Sequence, residues 1–196
     1  MAQRHAPVRN RANMYGMARH TRHYEWTAGR LARPLYRRVV ADVEASALPA
    51  SALVLDVGTG PGLLPEAIAA RCPSLSVVGV DLAPEMVARA RARCAGATGL
   101  RFELADVTAL PFAEGSVDLV VSSISLHHWQ RPDAGLAEVV RVLRPGAEAW
   151  VYDGRRTLRR AARLAVGLPA DVRLEDRLPG GLGLLPLGRL VLRRDR

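Results

Sequence analysis

Gly58, Gly60 and Gly62 stand at alternate positions directly after the apolar run Val54-Leu55-Asp56-Val57, and a helix-like segment with Leu63, Leu64, Ala67 and Ile68 follows them. The order is strand, tight turn, helix. Glycine suits such a turn because it adopts left-handed φ without strain and lets backbone approach a ligand closely. A second apolar run, Val77 to Val80, ends in Asp81. A carboxylate about 20 residues beyond such a turn can accept hydrogen bonds from both hydroxyls of a ribose. The spacing predicts a ligand that contains a ribose.

The register of the glycines separates two classes of such ligands. A dinucleotide fingerprint, G-x-G-x-x-G, needs glycine at position 63, where Leu63 stands. The pattern present is Asp56-x-Gly58-x-Gly60-x-Gly62, which resembles the first motif of class I S-adenosylmethionine-dependent methyltransferases. That resemblance implies that Asp56 helps hold the amino group of the methionyl part, directly or through water. It also implies that the backbone of Gly58, Thr59, Gly60 and Gly62 lines the cofactor, and that Asp81, the ribose carboxylate, and Leu82 after it bind the cofactor. A cationic sulfonium suits an acidic pocket better than a pyrophosphate does.

Three further blocks continue the resemblance, which covers roughly residues 50 to 154. Glu103-Leu104-Ala105-Asp106-Val107, followed by Leu110-Pro111-Phe112, is similar to the family's third strand and its loop, which implies Asp106 and Val107 as adenine contacts. Asp118 to Trp129 resembles the fourth strand and its exit, with Ser123 at the strand end beside the cofactor. Glu138 to Gly146 and Ala149-Trp150-Val151 resemble the next helix, turn and strand. Structural readings stand beside these: Asp81 as a helix cap ahead of Pro84, Asp106 as an ordinary loop acid, Ser123 as a small packing residue.

Methyl transfer from a sulfonium is an in-line displacement with a neutral leaving group, so holding donor and acceptor collinear and excluding water supplies much of the rate. A hydroxyl or acidic carbon acceptor gains from a base, and a histidine near its ordinary pKa suits that task. His127 and His128 follow the fourth strand and are the candidate catalytic residues. Leu126-His127-His128-Trp129 resembles the equivalent stretch of the ubiquinone and menaquinone methyltransferase group, which implies a small, partly apolar acceptor. The residues leave open whether either imidazole is a base or packs beneath the cofactor. Base methylation of nucleic acid is disfavoured: Ser122-Ser123-Ile124-Ser125 stands where Asn/Asp-Pro-Pro-aromatic would be needed, and neither cysteine follows a proline.

The elements that position these residues alternate: strands at 53 to 57, 76 to 81, 100 to 104, 117 to 122 and 147 to 153, with helices at 63 to 71, 84 to 94 and 133 to 143. Leu136, Val139, Val140 and Leu143 form the apolar stripe of a helix lying on a sheet. The pattern predicts an α/β, Rossmann-like doubly wound, mostly parallel sheet in a three-layer α/β/α arrangement, with the site at the carboxyl ends of its strands. In the tail, Val172-Arg173-Leu174 and Leu187 to Leu192 suit the antiparallel pair that closes the sheet in this family. Residues 1 to 50 form a leading helical segment with Tyr15, His20, His23, Tyr24, Trp26 and Tyr36, read either as a lid or as a staple onto the sheet; residues 51 to 196 form the core.

The 196 residues are 49% apolar, enough for one compact domain, with no run near the roughly 18 to 20 residues that cross a bilayer. Cys72 and Cys94 have neither C-x-x-C nor zinc-site spacing, and the first ten residues lack the apolar stretch of a secretory signal, so a cytoplasmic location and no metal are expected. Lysine is absent, and all 28 basic residues are arginine. Residues 51 to 154 carry 8 arginines against 12 acids, whereas residues 1 to 50 carry 9 against 3 and residues 155 to 196 carry 11 against 4. Such flanks suit an anionic substrate, a nucleic acid or an anionic membrane surface, or simply reflect a GC-rich genome. Arg155-Arg156 and Arg159-Arg160 are spaced for one solvated helix face, and no aromatic residues alternate with them as a base-stacking platform requires. The expectation is a methyltransferase using S-adenosyl-L-methionine on oxygen or carbon of a small molecule. A catalytically silent cofactor-binding protein and an RNA-directed methyltransferase are the alternatives.

Overall fold

A computed structural model describes residues 21–175 and 187–196, with side chains from residue 32 onward. The chain divides into a unit Met1–Arg33 and a unit Pro34–Arg196. Of the first, the described part is helical backbone, the start of α1 (Thr21–Ala45). Tyr15 and His20 of the expected lid lie outside the described residues, as do the side chains of His23, Tyr24 and Trp26.

The second unit is built on β1 (Leu53–Val57), β2 (Ser76–Asp81), β3 (Leu100–Leu104), β4 (Val117–Ser123), β5 (Leu143–Gly154), β6 (Ala170–Glu175) and β7 (Leu187–Arg194). Its helices are α2 (Leu63–Arg71), α3 (Pro84–Arg93), α4 (Pro132–Val142) and α5 (Arg155–Leu164), together with the second half of α1. The strands form one sheet in the order β3-β2-β1-β4-β5-β7-β6. β1 to β5 run parallel, and β7 lies antiparallel between β5 and β6. The expected mostly parallel sheet with an antiparallel closing strand is the one observed.

Strand alternation explains why both faces need helices. Leu55 and Val57 point to one face, where they meet Val78, Val80 and Val120 beneath Leu136, Val139 and Val140 of α4 and Leu158 and Ala161 of α5. Val54 points to the other, with Val77, Leu119 and Val121 beneath Leu35, Val39 and Val43 of α1 and Leu64 and Ile68 of α2. Tyr36 packs against the edge of this second cluster. Each such side chain, almost wholly buried, contributes about 1.5 to 3 kcal/mol of transfer free energy. Leu143, expected to end the fourth helix's stripe, instead opens β5, because the chain turns extended there and pairs with Val117.

β1 is the point from which the connections diverge: β2 and β3 lie to one side, β4 and β5 to the other. In an open parallel sheet that reversal leaves a crevice at the carboxyl ends of the strands. Val57, Asp81, Ser123 and Gly154 end the four strands around it.

Candidate active site

The loop after β1 is held from below by β2. Both Gly58 N–H and Thr59 N–H donate to the Val80 carbonyl at 2.9 Å, and Gly60 N–H donates to Asp81 Oδ2 at 2.8 Å. Gly58, Gly60 and Gly62 all have left-handed φ, +73°, +54° and +82°. Their surroundings differ. A Cβ on Gly58 would lie 1.8 Å from Ser125 Oγ, and one on Gly62 would lie 2.9 Å from both Ala90 Cβ and Phe102 Cζ. A Cβ on Gly60 would meet nothing within 4 Å. Gly58 and Gly62 are therefore required by packing, whereas Gly60 faces open space.

The carboxylates divide in the same way. Asp56 is 1% exposed, its Oδ1 has no hydrogen-bond partner, and its pKa is pushed up to about 7. Burial is the main cause; the nearby Thr59 hydroxyl pulls it down without reaching hydrogen-bond distance, and the charge of Asp81 adds to the rise. Thr59 Oγ1 and Ser122 Oγ are likewise buried without a partner. Asp81 is half-buried, and its Oδ1 accepts from Ala83 N–H at 2.9 Å while Oδ2 holds Gly60, so it closes an Asx turn just ahead of α3, whose N-cap is Ala83 and not Asp81, and clamps the glycine loop. Each oxygen keeps a second lone pair.

Around Asp81 stand Leu82, 48% exposed, and Leu104, 54% exposed, the latter paired with Asp81 across β2 and β3. Asp106 Oδ1 accepts from Thr108 N–H and Thr108 Oγ1, both at 2.8 Å, which rigidifies the turn after β3. Val107 packs against the core, and its Cγ1 comes close to Gly135 of α4. Ser123 is half-buried at the end of β4, paired with Tyr152.

Beyond Ser123 the chain is forced. Ile124, β-branched, has φ +51°, a conformation rare for its type. Its N–H donates to the Tyr152 carbonyl at 2.8 Å, and the 3-10 turn Leu126–His128 begins immediately after. Trp129 Nε1–H donates to Ser125 Oγ at 3.1 Å, and the indole packs on Gly135, which fixes that turn against α4.

His127 Nδ1 lies 3.0 Å from Asp153 Oδ2 and 3.2 Å from Oδ1, and His127 N–H also donates to Oδ2 at 3.2 Å. The Asp153 side chain is 4% exposed and that of His127 37%. Gly154 N–H donates to Asp153 Oδ1 at 2.7 Å. His128 packs against His127 with ring centroids 3.9 Å apart and the planes tilted by 44°, and its pKa is lowered, first by burial and then by the His127 ring, against the raising charges of Asp153 and Asp81. Asp153 is the residue that sequence reasoning missed. Its one local signal was its place at the end of an apolar strand, the place Asp81 occupies in β2.

A clamped carboxylate, an open-faced glycine loop and buried polar atoms lacking partners fit S-adenosylmethionine, whose ribose and charged ammonium would satisfy them. Fold and site define a class I S-adenosylmethionine-dependent methyltransferase fold, and the methyltransferase domain family matches residues 54–146. The match covers 93 of the chain's 196 residues, and S-adenosylmethionine is the cofactor. The chain is 38% identical over 120 residues to a demethylmenaquinone methyltransferase of Thermus thermophilus, covering 60% of this chain and 53% of that one. It is 36% identical over 111 residues to a malonyl-[acyl-carrier protein] O-methyltransferase of Methylococcus capsulatus, covering 56% and 40%. The chain thus spans about half or less of the length of these relatives. Its fold matches a SAM-dependent methyltransferase from Aquifex aeolicus with a TM-score of 0.66 at 18% identity, over 81% of this chain and 88% of that one. Among the described residues, no cluster of three His, Cys, Asp or Glu is arranged to hold a metal, and no helix is long and apolar enough to cross a membrane.

Proposed function

We propose that the protein transfers the methyl group of S-adenosylmethionine to an oxygen or acidic carbon of a small, partly apolar molecule in the cytoplasm, with His127 taking the acceptor's proton. One observation carries this reading: His127 Nδ1 sits 3.0 Å from the buried carboxylate of Asp153, beside the crevice. With the proton held on Nδ1 by Asp153, the Nε2 lone pair is left for a substrate. Asp153 is a positioning residue, and a neutral amine acceptor would not need the pair.

Asp81 would hold the cofactor's ribose, Asp106 and Val107 would meet its adenine with Leu82 beside them, and the backbone of Gly58, Thr59, Gly60 and Gly62 would line it. Asp56, with its unpartnered Oδ1, draws the ammonium, directly or through water, and Ser123 closes the strand-end side. When bound, the cofactor supplies an electrophilic methyl group on a positively charged sulfur that departs as a neutral thioether. The residues do the rest by orienting the acceptor, excluding water and accepting one proton. The names of the relatives, a demethylmenaquinone and a malonyl-[acyl-carrier protein] methyltransferase, support a small or carrier-borne acceptor with apolar character.

The test is incubation of the protein with labelled S-adenosylmethionine and a small-molecule extract of the source cells, with products identified by mass spectrometry. Labelled product is expected from the wild type. His127→Ala should reduce kcat by roughly 10²- to 10⁴-fold, the range for loss of a general base. Donor binding with no product from any fraction would mark a cofactor-binding protein without turnover.

A further inference from the structure

α5 carries five arginines and no acid in ten residues, and it begins two residues after Asp153. Leu158, Ala161 and, one residue past the helix, Ala165 are buried on the sheet side. At about 100° per residue, Arg156, Arg160 and Arg163 fall together on the opposite side, and all three are exposed. At the helix's end stand two exposed large apolar side chains: Leu164, 37% exposed, flanks the arginines, and Val166, 79% exposed, follows in a turn closed by Gly167 at φ +92°. The other two exposed large apolar residues among those described, Leu82 and Leu104, stand beside Asp81 in the cofactor crevice.

Arginines alone describe an ordinary solvated face. The apolar pair changes what such a face can bind. A soluble polyanion has no apolar layer to receive Leu164 and Val166. An anionic bilayer offers both, phosphate oxygens at the level of the guanidinium groups and acyl chains just below. We infer that the exposed face of α5, with Leu164 and Val166 at its end, is an adsorption surface for anionic lipid bilayers. Charge supplies most of the attraction, on the order of fivefold in affinity per arginine, and burial of the two apolar side chains fixes which end of the helix sits deepest. Because α5 leaves the sheet next to Asp153, adsorption brings the strand-end crevice close to the lipid surface. This surface is independent of the transfer chemistry, since Arg156, Arg160, Arg163, Leu164 and Val166 take no part in the site.

The full chain is tested by co-sedimentation with vesicles of phosphatidylcholine alone and of phosphatidylcholine with phosphatidylglycerol, at two salt concentrations. Binding is expected only to the anionic vesicles and weaker at high salt. The triple variant Arg156→Gln, Arg160→Gln, Arg163→Gln should bind roughly a hundredfold less tightly. Val166→Ser should lose several-fold, with donor affinity by calorimetry unchanged in both variants as a check on folding. Absence of binding to anionic vesicles would overturn the inference. So would binding to polyuridylate or polyglutamate as tight as to vesicles and indifferent to Val166→Ser, which would make the partner a soluble polyanion.

Discussion

Gly58 and Gly60 share a left-handed backbone but face opposite consequences of acquiring a side chain. Gly58→Ala drives a Cβ to 1.8 Å from Ser125 Oγ and should destabilise the fold by about 2 to 4 kcal/mol, from strain and overpacking together. Gly60→Ala meets no atom and should cost only about 1 to 2 kcal/mol of backbone strain, yet it places a methyl group on the face proposed to receive the donor. Thermal melting and calorimetry with S-adenosylmethionine separate the two, and normal donor affinity in Gly60→Ala would remove the loop from the cofactor site. Asp56 makes a prediction of opposite character. Its pKa is raised from 3.8 to about 7, so the folded state holds a proton that the unfolded state gives up, and stability falls as pH rises between those values. The full loss is of order 4 kcal/mol, and Asp56→Asn should flatten the decline when denaturant midpoints at pH 5 and pH 8 are compared. An unchanged slope would mean that the carboxyl is better solvated than its burial indicates. Asp56 and Asp81 could be picked out in the sequence because each stands in the last two residues of an apolar strand near a glycine. Asp153 was not, since its importance comes from His127, 26 residues earlier in the chain and brought to it only by the pairing of β4 with β5.

The closing strands depend on one guanidinium. Arg189 on β7 donates to both oxygens of Glu175 on β6, at 2.9 and 3.1 Å, to Asp42 on α1 at 3.0 Å and to the Tyr152 hydroxyl on β5 at 3.3 Å. Tyr152 in turn donates to Asp42 Oδ2 at 3.1 Å. The side chains of Arg189 and Asp42 are 14% and 16% exposed, whereas Glu175 is 30% exposed and partly screened. Arg189→Met would leave Asp42 with Arg38 and the Tyr152 hydroxyl and Glu175 with the exposed Arg173, and should cost roughly 1 to 3 kcal/mol, read as a melting temperature several degrees lower. A melting curve that does not move would show these charges to be solvated in the unfolded and folded states alike. The antiparallel pair itself was readable from short alternating runs, observed as residues 170 to 175 and 187 to 194. The arginine cluster that fastens it was not, because four elements distant in sequence contribute to it. The same holds at the switch in hydrogen bonding near residue 143, where a helical apolar stripe and the start of a strand look alike in a line of letters and only pairing with Val117 decides.

At the scale of the whole chain, residues 51 to 154 carry more acids than arginines and the segments on either side carry more arginines than acids, with chemistry proposed for the first and attachment for α5. The central sheet could be read from alternation and glycine spacing, as they report local periodicity and backbone conformation. The acceptor could not, because its contacts come from side chains whose neighbours are set by tertiary packing. His127 and Asp153, the proposed proton-accepting pair, link the two scales. Asp153→Asn should lower kcat while leaving the KM for the donor unchanged, since Asp153 touches His127 and not the nucleoside; a rise in donor KM with kcat intact would assign it a binding role instead. The most direct measurement is a crystal structure of the chain soaked with S-adenosylhomocysteine. The account predicts the ribose hydroxyls on Asp81, the nucleoside passing over Gly60, and the sulfur directed toward Nε2 of His127. A ligand bound away from Gly60 and Asp81, or a sulfur facing away from His127, would contradict it.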